Sequence, residues 1–274
     1  MTESTDKTID GALLRGDSEI SLRGRHLDLR LTNKLSGISN LVKIDLADTT
    51  IEDISFLEKL TNLRYLDLSD ARVRRVDRVE TISFANHLPH LETLICDRTH
   101  IRTLEPLRNA TKLRMLSFRH THISDVAPLA GLKHLRDLLL DYSLVLDFEP
   151  ILPLTQLINS PGEYGLTFSQ CMLARVDKNV QDISGIEDNK RRSTELYYYL
   201  KDASPTPRTD LKTVLAEMLL ELPQQFSAPL TATISADGRQ IIEVRGAVSG
   251  NSTGDELAEQ GWLGPVDIQD SPLG

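Results

Sequence analysis

The chain has 274 residues, 40% hydrophobic and 26% charged, and its 31 basic and 40 acidic side chains give a net charge of −9. This composition suits a globular protein with one elongated domain and a smaller one. The acidic balance argues against nucleic acid as a partner, because contacts to phosphate dominate that affinity. There is no apolar run of membrane-spanning length and no basic start followed by an apolar stretch, so we expect a cytoplasmic protein without a membrane partner.

The N-terminal residues 1–18 are polar and without a periodic pattern, which predicts a disordered segment. The next stretch, 20–40, contains one L-x-L at Leu27 and Leu29 followed by a shortened remainder. A shortened unit of this kind is typical of a terminal repeat that shields the first core layer from water. We therefore expect a repeat domain over 19–160 that begins with an N-terminal cap.

Residues 41–157, here named the repeat array, repeat one motif, L-x-x-L-x-L-x-x-T-x-I, at intervals of 22 or 28 residues. The six copies open at Leu41, Leu63, Leu91, Leu113, Leu135 and Leu157. The L-x-L core alternates as a short strand does, with its leucines on one face. No copy can bury that face alone, so stacked copies form a parallel sheet over one continuous core. The pattern predicts an α/β fold, a leucine-rich-repeat solenoid with a short helical or irregular convex side.

The copy at residues 121–132, T-H-I-S-D-V-A-P-L-A-G-L, resembles the internalin-type repeats of bacterial proteins. This resemblance extends over the repeat array and implies a bacterial leucine-rich-repeat protein with a solenoid fold. Repeat families serve many partners, so the resemblance does not name one.

Solenoids bind partners on the extended inner surface of the sheet. In this array the third, fifth, seventh and eighth positions of each copy lie on that surface, which we call the concave face. Three apolar residues on neighbouring strands, rimmed by aromatic and arginine side chains, have the composition of a protein-interface hot spot. The candidate partner-binding residues are Tyr65, Asp67, Ile95, Arg98, Met115, Arg119, Leu139 and Tyr142.

Two histidines and two cysteines are candidate chemical sites. His100 and His122 share the tenth position of adjacent copies, so their rings are expected roughly 5 Å apart. Rings that close could share a metal ion or a pH switch, but the position is a solvated turn with no fourth ligand in view. We therefore expect exposed histidines and no metal site. Cys96 is expected to point inward, and Cys171 is expected to be a structural thiol beyond the array.

Proline and glycine at Pro153 and 161–162 interrupt the repeat pattern, which places a domain boundary near residue 160. The following residues, 161–246, predict a small α+β region. Its elements are a helix capped by Asp188, an apolar-striped helix over 211–222, and a β-hairpin formed by LTATIS and RQIIEV. Residues 247–274 are acidic and predict a disordered tail.

The chain contains none of the common phosphate-binding, dinucleotide-binding, zinc-protease or serine-hydrolase motifs. The sequence therefore favours a protein-binding module without a cofactor, and it leaves the oligomeric state open. Two alternatives remain. One is a secreted bacterial effector that uses the array to recognise a host protein, and the other is an enzyme with its active site in residues 163–246.

Overall fold

The computed structural model describes residues 2–73, 79 and 81–202, together with the backbone of three strands at 230–234, 241–246 and 267–270. Seven parallel strands form one sheet in the order β1-β3-β5-β7-β8-β9-β10. Their bounds are β1 Glu19–Ser21, β3 Lys43–Asp45, β5 Tyr65–Asp67, β7 Thr93–Ile95, β8 Met115–Ser117, β9 Asp137–Leu139 and β10 Leu166–Thr167. This arrangement confirms the predicted leucine-rich-repeat solenoid.

The return path of each repeat is short and irregular, as predicted. A second parallel sheet pairs β2 (His26–Leu27), β4 (Thr50–Ile51) and β6 (Arg72–Val73). Short 3-10 helices follow at Ser55–Lys59, Ser83–His87, Glu105–Leu107, Ala127–Gly131 and Glu149–Ile151. Most of their buried apolar residues and the middle leucines of the main strands belong to one hydrophobic core.

The middle residue of each main strand points into that core. Leu66, Leu94, Leu116 and Leu138 have no exposed surface and lie in register on adjacent strands. Because a strand alternates its side chains, the residues on either side of each leucine lie on the opposite face of the sheet. The repeat motif therefore sets both the core and the concave face.

Each repeat turns at its eighth position through a residue in the left-handed region. Asp48, Asp70, Arg98, His120 and Tyr142 have φ between 54° and 59°. A non-glycine residue there costs on the order of 1 kcal/mol, which the surrounding packing must offset. The threonine that follows helps in three copies, because the hydroxyls of Thr49, Thr99 and Thr121 donate to the carbonyl oxygen three residues earlier.

The repeats extend further at the C-terminal end than the sequence predicted. At the N-terminal end the terminal repeat lies within the predicted range, but its strand in the main sheet is formed around Ile20; of the L-x-L pair, Leu27 is buried in β2 and Leu29 is 53% exposed. At the C-terminus β10 pairs with β9, and Gln170 repeats the left-handed turn with φ 56°. The sheet and its core therefore continue past residue 160, and the predicted boundary there does not separate two cores.

The predicted disorder of residues 1–18 is also wrong. Thr2–Arg15 is a helix, α1, which contacts α2 (Leu29–Leu35) and buries Ile9 and Ala12. Asp6 binds Lys34 at 2.5 Å and Arg30 at 2.6 Å. The stabilising contacts come from α2 and β2, which lie outside this window, so a polar window with few apolar residues did not reveal the helix.

Four further helices follow the array: α3 Thr155–Asn159, α4 Met172–Val176, α5 Lys178–Ser184 and α6 Asn189–Asp202. The predicted cap of α6 is confirmed, because the Asp188 carboxylate accepts the Arg191 N–H at 2.6 Å. Arg192 of α6 is buried, and it donates to the carbonyl oxygens of Leu166, Ile186 and Tyr164 at 2.7 to 2.8 Å. This arginine fixes α6 against the last strand of the sheet.

The predicted hairpin is confirmed in its strands, β11 (Leu230–Ile234) and β12 (Ile241–Gly246), which pair antiparallel. A third strand, β13 (Asp267–Asp270), pairs parallel with β11, so the predicted disorder of 247–274 is wrong for these four residues. The hairpin turn, the predicted helix over 211–222 and the rest of the acidic tail lie outside the described residues.

Candidate protein-binding surface on the concave face

Strand register sets the arrangement of the concave face. One row across the sheet contains Lys43, Tyr65, Thr93, Met115 and Asp137. A second row contains Asp45, Asp67, Ile95, Ser117 and Leu139. Neighbouring members of a row are separated by the strand spacing of about 4.8 Å.

The structure places the three predicted apolar residues on adjacent strands β7, β8 and β9. Ile95 and Met115 are partly exposed on the concave face. Leu139 is only 2% exposed, so its prediction as a solvent-facing residue is wrong. β10 extends the sheet beyond β9, so Leu139 lies inside the sheet between the in-register residues Ser117 and Thr167 and not at its edge.

The acidic side chains of the concave face are engaged within the sheet. Asp67, a predicted binding residue, is 6% exposed, and its carboxylate accepts the Ser69 N–H at 2.9 Å. Asp97 accepts the Arg119 N–H at 2.8 Å and the Ser117 hydroxyl at 2.5 Å. Burial raises the pKa of Asp97 above its usual range, although these hydrogen bonds oppose the shift. These carboxylates therefore hold turns and strands together.

The two predicted arginines are held at the surface by carboxylates. Arg119 pairs with Asp141 at 3.1 Å, and Arg98 pairs with Asp70 at 3.8 Å. The Arg119 side chain is 37% exposed and the Arg98 side chain 53%. Both guanidinium groups are therefore accessible at the surface beside the apolar pair.

Aromatic side chains lie on both sides of the apolar pair. Tyr142 is 38% exposed and stacks on His120, with ring centroids 4.3 Å apart and planes 11° apart. Burial is the main cause that lowers the pKa of His120, which favours a neutral ring near pH 7. On the other side, Lys43 lies 5.1 Å from the centroid of the Tyr65 ring. The stack and the cation–π contact orient these rings before any partner binds.

Tyr164 belongs to the same surface and was missed by the sequence analysis. Its N–H donates to Asp137 at 2.8 Å, its carbonyl oxygen accepts from Arg192 at 2.8 Å, and the residue is 39% exposed. Its hydroxyl has a raised pKa, chiefly because of a hydrogen bond with the Glu163 carboxylate. The sequence signal was the apolar pair Leu166 and Phe168, which marks a further repeat strand directly after this tyrosine.

The paired histidines are close but buried. The ring centroids of His100 and His122 are 5.9 Å apart, near the expected separation. They are 7% and 3% exposed, so the expectation of exposed histidines is wrong. Burial lowers the pKa of His122 to about 3, with smaller effects from His100 and Arg102. Within the described part of the chain, no cluster of three or more metal-ligating side chains is present.

Both cysteines are buried and free. Cys171 follows the repeat array but occupies the ninth position of a further repeat, the place of Thr121 and Ser143 in earlier copies, and it belongs to the same hydrophobic core. Burial raises the pKa of its thiol to about 12. A thiol with that pKa carries almost no thiolate at neutral pH and is a poor nucleophile.

A cleft with a volume of about 650 Å³ lies between α3 and α6. It is lined by Glu149, Leu152, Pro153, Thr155, Ile158, Asn159, Thr194, Tyr197, Tyr198, Leu200 and Lys201. The described lining offers one carboxylate and one amine and includes neither histidine nor cysteine. Among the helices described, none is long and apolar enough to cross a membrane.

A family model described as leucine-rich repeats (two copies) matches residues 39–77. The chain contains leucine-rich repeats. Proteins of this kind are typically not enzymes, and the repeats suggest a protein-interaction module. No curated protein matches the chain.

Three solved structures of leucine-rich-repeat proteins are similar to this chain. An internalin of Listeria monocytogenes shares 23% identity over 65% of this chain and 59% of its own, with a TM-score of 0.49. Internalin C2 of the same organism shares 21% over 66% of this chain and 78% of its own, with a TM-score of 0.48. A leucine-rich-repeat protein of Leptospira interrogans shares 18% over 50% of this chain and 33% of its own, with a TM-score of 0.43. The present chain thus spans about 59% of the length of the first internalin.

Proposed function

We propose that this chain is a protein-binding module whose partner contacts the concave face around Met115 and Ile95. The supporting observation is the arrangement of these two partly exposed apolar side chains on adjacent strands, with aromatic rings and arginines around them. Apolar centres with aromatic and arginine rims are typical of the few residues that supply most of the binding energy in protein interfaces.

The proposed rim consists of the aromatic, arginine and histidine side chains around this pair: Tyr65, Arg98, Arg119, His120, Tyr142 and Tyr164. Asp67 and Leu139 are left out, because one is engaged by Ser69 within its own turn and the other is covered within the sheet. Most rim side chains are already oriented by ion pairs or ring contacts, so these side chains lose less conformational entropy when a partner binds.

The first step of the test identifies the partner. A photo-crosslinking amino acid replaces Thr93, which lies in register between Tyr65 and Met115, and a matched variant carries it at Glu58 on the 3-10 helix behind the sheet. We expect one protein to be crosslinked through position 93 and not through position 58. Purified partner then allows affinity to be measured by calorimetry.

The second step places a charge at the centre of the site. Met115→Glu should weaken the purified partner's affinity by about 2 kcal/mol or more, roughly 30-fold, because an unpaired carboxylate would be buried in the interface. Met115→Gln has the same length without the charge and should lose less. Glu58→Lys should leave affinity unchanged.

One outcome would place the binding site elsewhere on the protein. If Met115→Glu binds as wild type while Tyr198→Glu on α6 does not, the binding site lies on the C-terminal helices. Tyr198 is 59% exposed there, so this variant perturbs the surface without removing a core contact. That outcome would refute the proposed site.

A further inference from the structure

A second charged surface lies where the strands of the repeat array begin. We name it the basic edge: residues 62–64, 90–92, 112–114 and 133–136, which directly precede β5, β7, β8 and β9. Backbone hydrogen bonds align its members in a column. The N–H of Glu92 donates to the Arg64 carbonyl oxygen, that of Arg114 to Glu92, and that of Arg136 to Arg114, at 2.8 to 2.9 Å. At the strand spacing of about 4.8 Å, this column is roughly 15 Å long.

The basic edge differs in charge from the rest of the chain. It holds five basic side chains and two histidines: Arg64, Lys112, Arg114, Lys133, Arg136, His90 and His134. Its one carboxylate is Glu92, and the next acidic residue along the column is Glu163, beyond Gly162. The whole protein carries a net charge of −9, so this local excess of positive charge is not a consequence of composition.

The internal pairing leaves most of this charge available. Glu92 contacts both Arg64 at 2.9 Å and Arg114 at 3.7 Å, so one carboxylate serves two guanidinium groups. The two arginine side chains remain 59% and 60% exposed. Lys112 donates to His90 Nδ1 at 2.8 Å, which requires an unprotonated nitrogen there and keeps the lysine charge at the surface. Like charges at this spacing repel one another, and an acidic ligand would relieve that repulsion.

We propose that the basic edge binds an acidic polypeptide segment of the partner that occupies the concave face. This inference rests on the proposed function, because Arg64 directly precedes Tyr65 and Arg114 directly precedes Met115. A partner held around Met115 therefore has its flanking chain within reach of the edge. Arginine forks match carboxylates in geometry, and an extended segment of about five residues spans the roughly 15 Å of the column.

An acidic peptide fits better than a nucleic acid. Proteins that bind single strands combine positive charge with aromatic rings on which bases stack, and the basic edge contains no phenylalanine, tyrosine or tryptophan. Salt screens charges beyond a Debye length of about 8 Å, so a short peptide meets mainly the local positive charge, whereas a long polyanion also lies near acidic parts of a chain whose net charge is −9.

The test uses the full chain and a fluorescent eight-residue peptide of alternating aspartate and glutamate, measured by anisotropy. We expect Arg64→Glu with Arg114→Glu to weaken binding by about tenfold or more, and binding to weaken with added salt. The matched control is Lys178→Glu with Arg191→Glu on α5 and α6. It changes charge by the same amount and also removes two exposed ion pairs. This control should stay within about twofold of wild type.

Three results would overturn the proposal. They are an equal loss in the control, no loss in the Arg64 and Arg114 variant, or tighter binding of a single-stranded RNA of equal charge. Should the double reversal prevent folding, Arg64→Gln with Arg114→Gln makes the same comparison with a smaller expected loss. The peptide tests the edge alone, whereas Met115→Glu against the purified partner tests the concave face. Failure of one proposal is therefore distinguishable from failure of the other.

Discussion

Replacement of Leu116 by alanine tests the register on which every surface assignment depends. Leu116 lies on the central strand β8, has no exposed surface, and is flanked in register by Leu94 and Leu138. The change removes three carbon groups, worth about 2.4 kcal/mol of transfer free energy at roughly 0.8 kcal/mol each. Strands on both sides limit collapse of the site, so a cavity adds to this cost. We expect a total loss of about 3 to 5 kcal/mol.

The assay is urea unfolding followed by far-ultraviolet circular dichroism, with Met115→Ala as the control on the same strand. Met115 lies on the concave face, so its truncation should cost less than about 1 kcal/mol. A loss below about 1 kcal/mol for Leu116→Ala, or a larger loss for Met115→Ala, would refute the register. In that case the third and fifth positions would point into the core, and the proposed binding surface would be wrong.

Two further predictions concern buried polar groups. Burial lowers the pKa of His122 from its ordinary 6.5 to about 3. As the pH falls from 6.5 towards 3, the His122 ring is therefore protonated in the unfolded chain but not in the folded one. The associated stability is lost at up to about 1.4 kcal/mol per pH unit between those values, and His122→Leu should flatten the slope of unfolding free energy between pH 7 and 5. Arg192→Met leaves three carbonyl oxygens without their donor, including those of Leu166 and Tyr164. The substitution should lower the free energy of unfolding by about 2 to 4 kcal/mol and speed amide hydrogen exchange over residues 163–167. Unchanged exchange in these residues would contradict the prediction.

The strands of the array were predictable because each has a leucine pair with nearly constant spacing. The terminal strands were not predicted, because their pairs are Ile20 with Leu22 and Leu166 with Phe168, which depart from leucine. The second case did carry a signal. Leu166 follows Leu138 by 28 residues, the same interval that separates Leu94 from Leu66 within the array.

Helix α1 could not be predicted from local pattern. Its window is polar, and its buried residues Ile9 and Ala12 are too few for an amphipathic stripe. Contacts with α2, including the bridges from Asp6 to Lys34 and Arg30, form only in the folded chain. Tertiary packing thus decides this segment, as it does for most short helices in proteins.

The candidate site was predicted only in part, because some of its exposures also depend on tertiary packing. Alternation correctly placed Ile95 and Met115 on the concave face, because that inference needs only the strand itself. The exposure of Leu139 depends on whether another strand follows β9, and that strand was missed. His100 and His122 were assigned to a solvated turn, whereas the packing of adjacent turns buries both rings.

The aspartates of the concave face show why surface composition alone is a poor guide to which residues contribute binding energy. Asp97 and Asp141 each accept a backbone N–H from the next strand or turn, and Asp137 accepts two from the segment that carries Tyr164. A partner that bound these carboxylates directly would have to replace charge-assisted hydrogen bonds already present, with little net gain. Under the proposed function, affinity on this face comes from groups that the fold leaves exposed. By that criterion the partly exposed Met115, and not the more numerous acids around it, is where substitution should change partner affinity most.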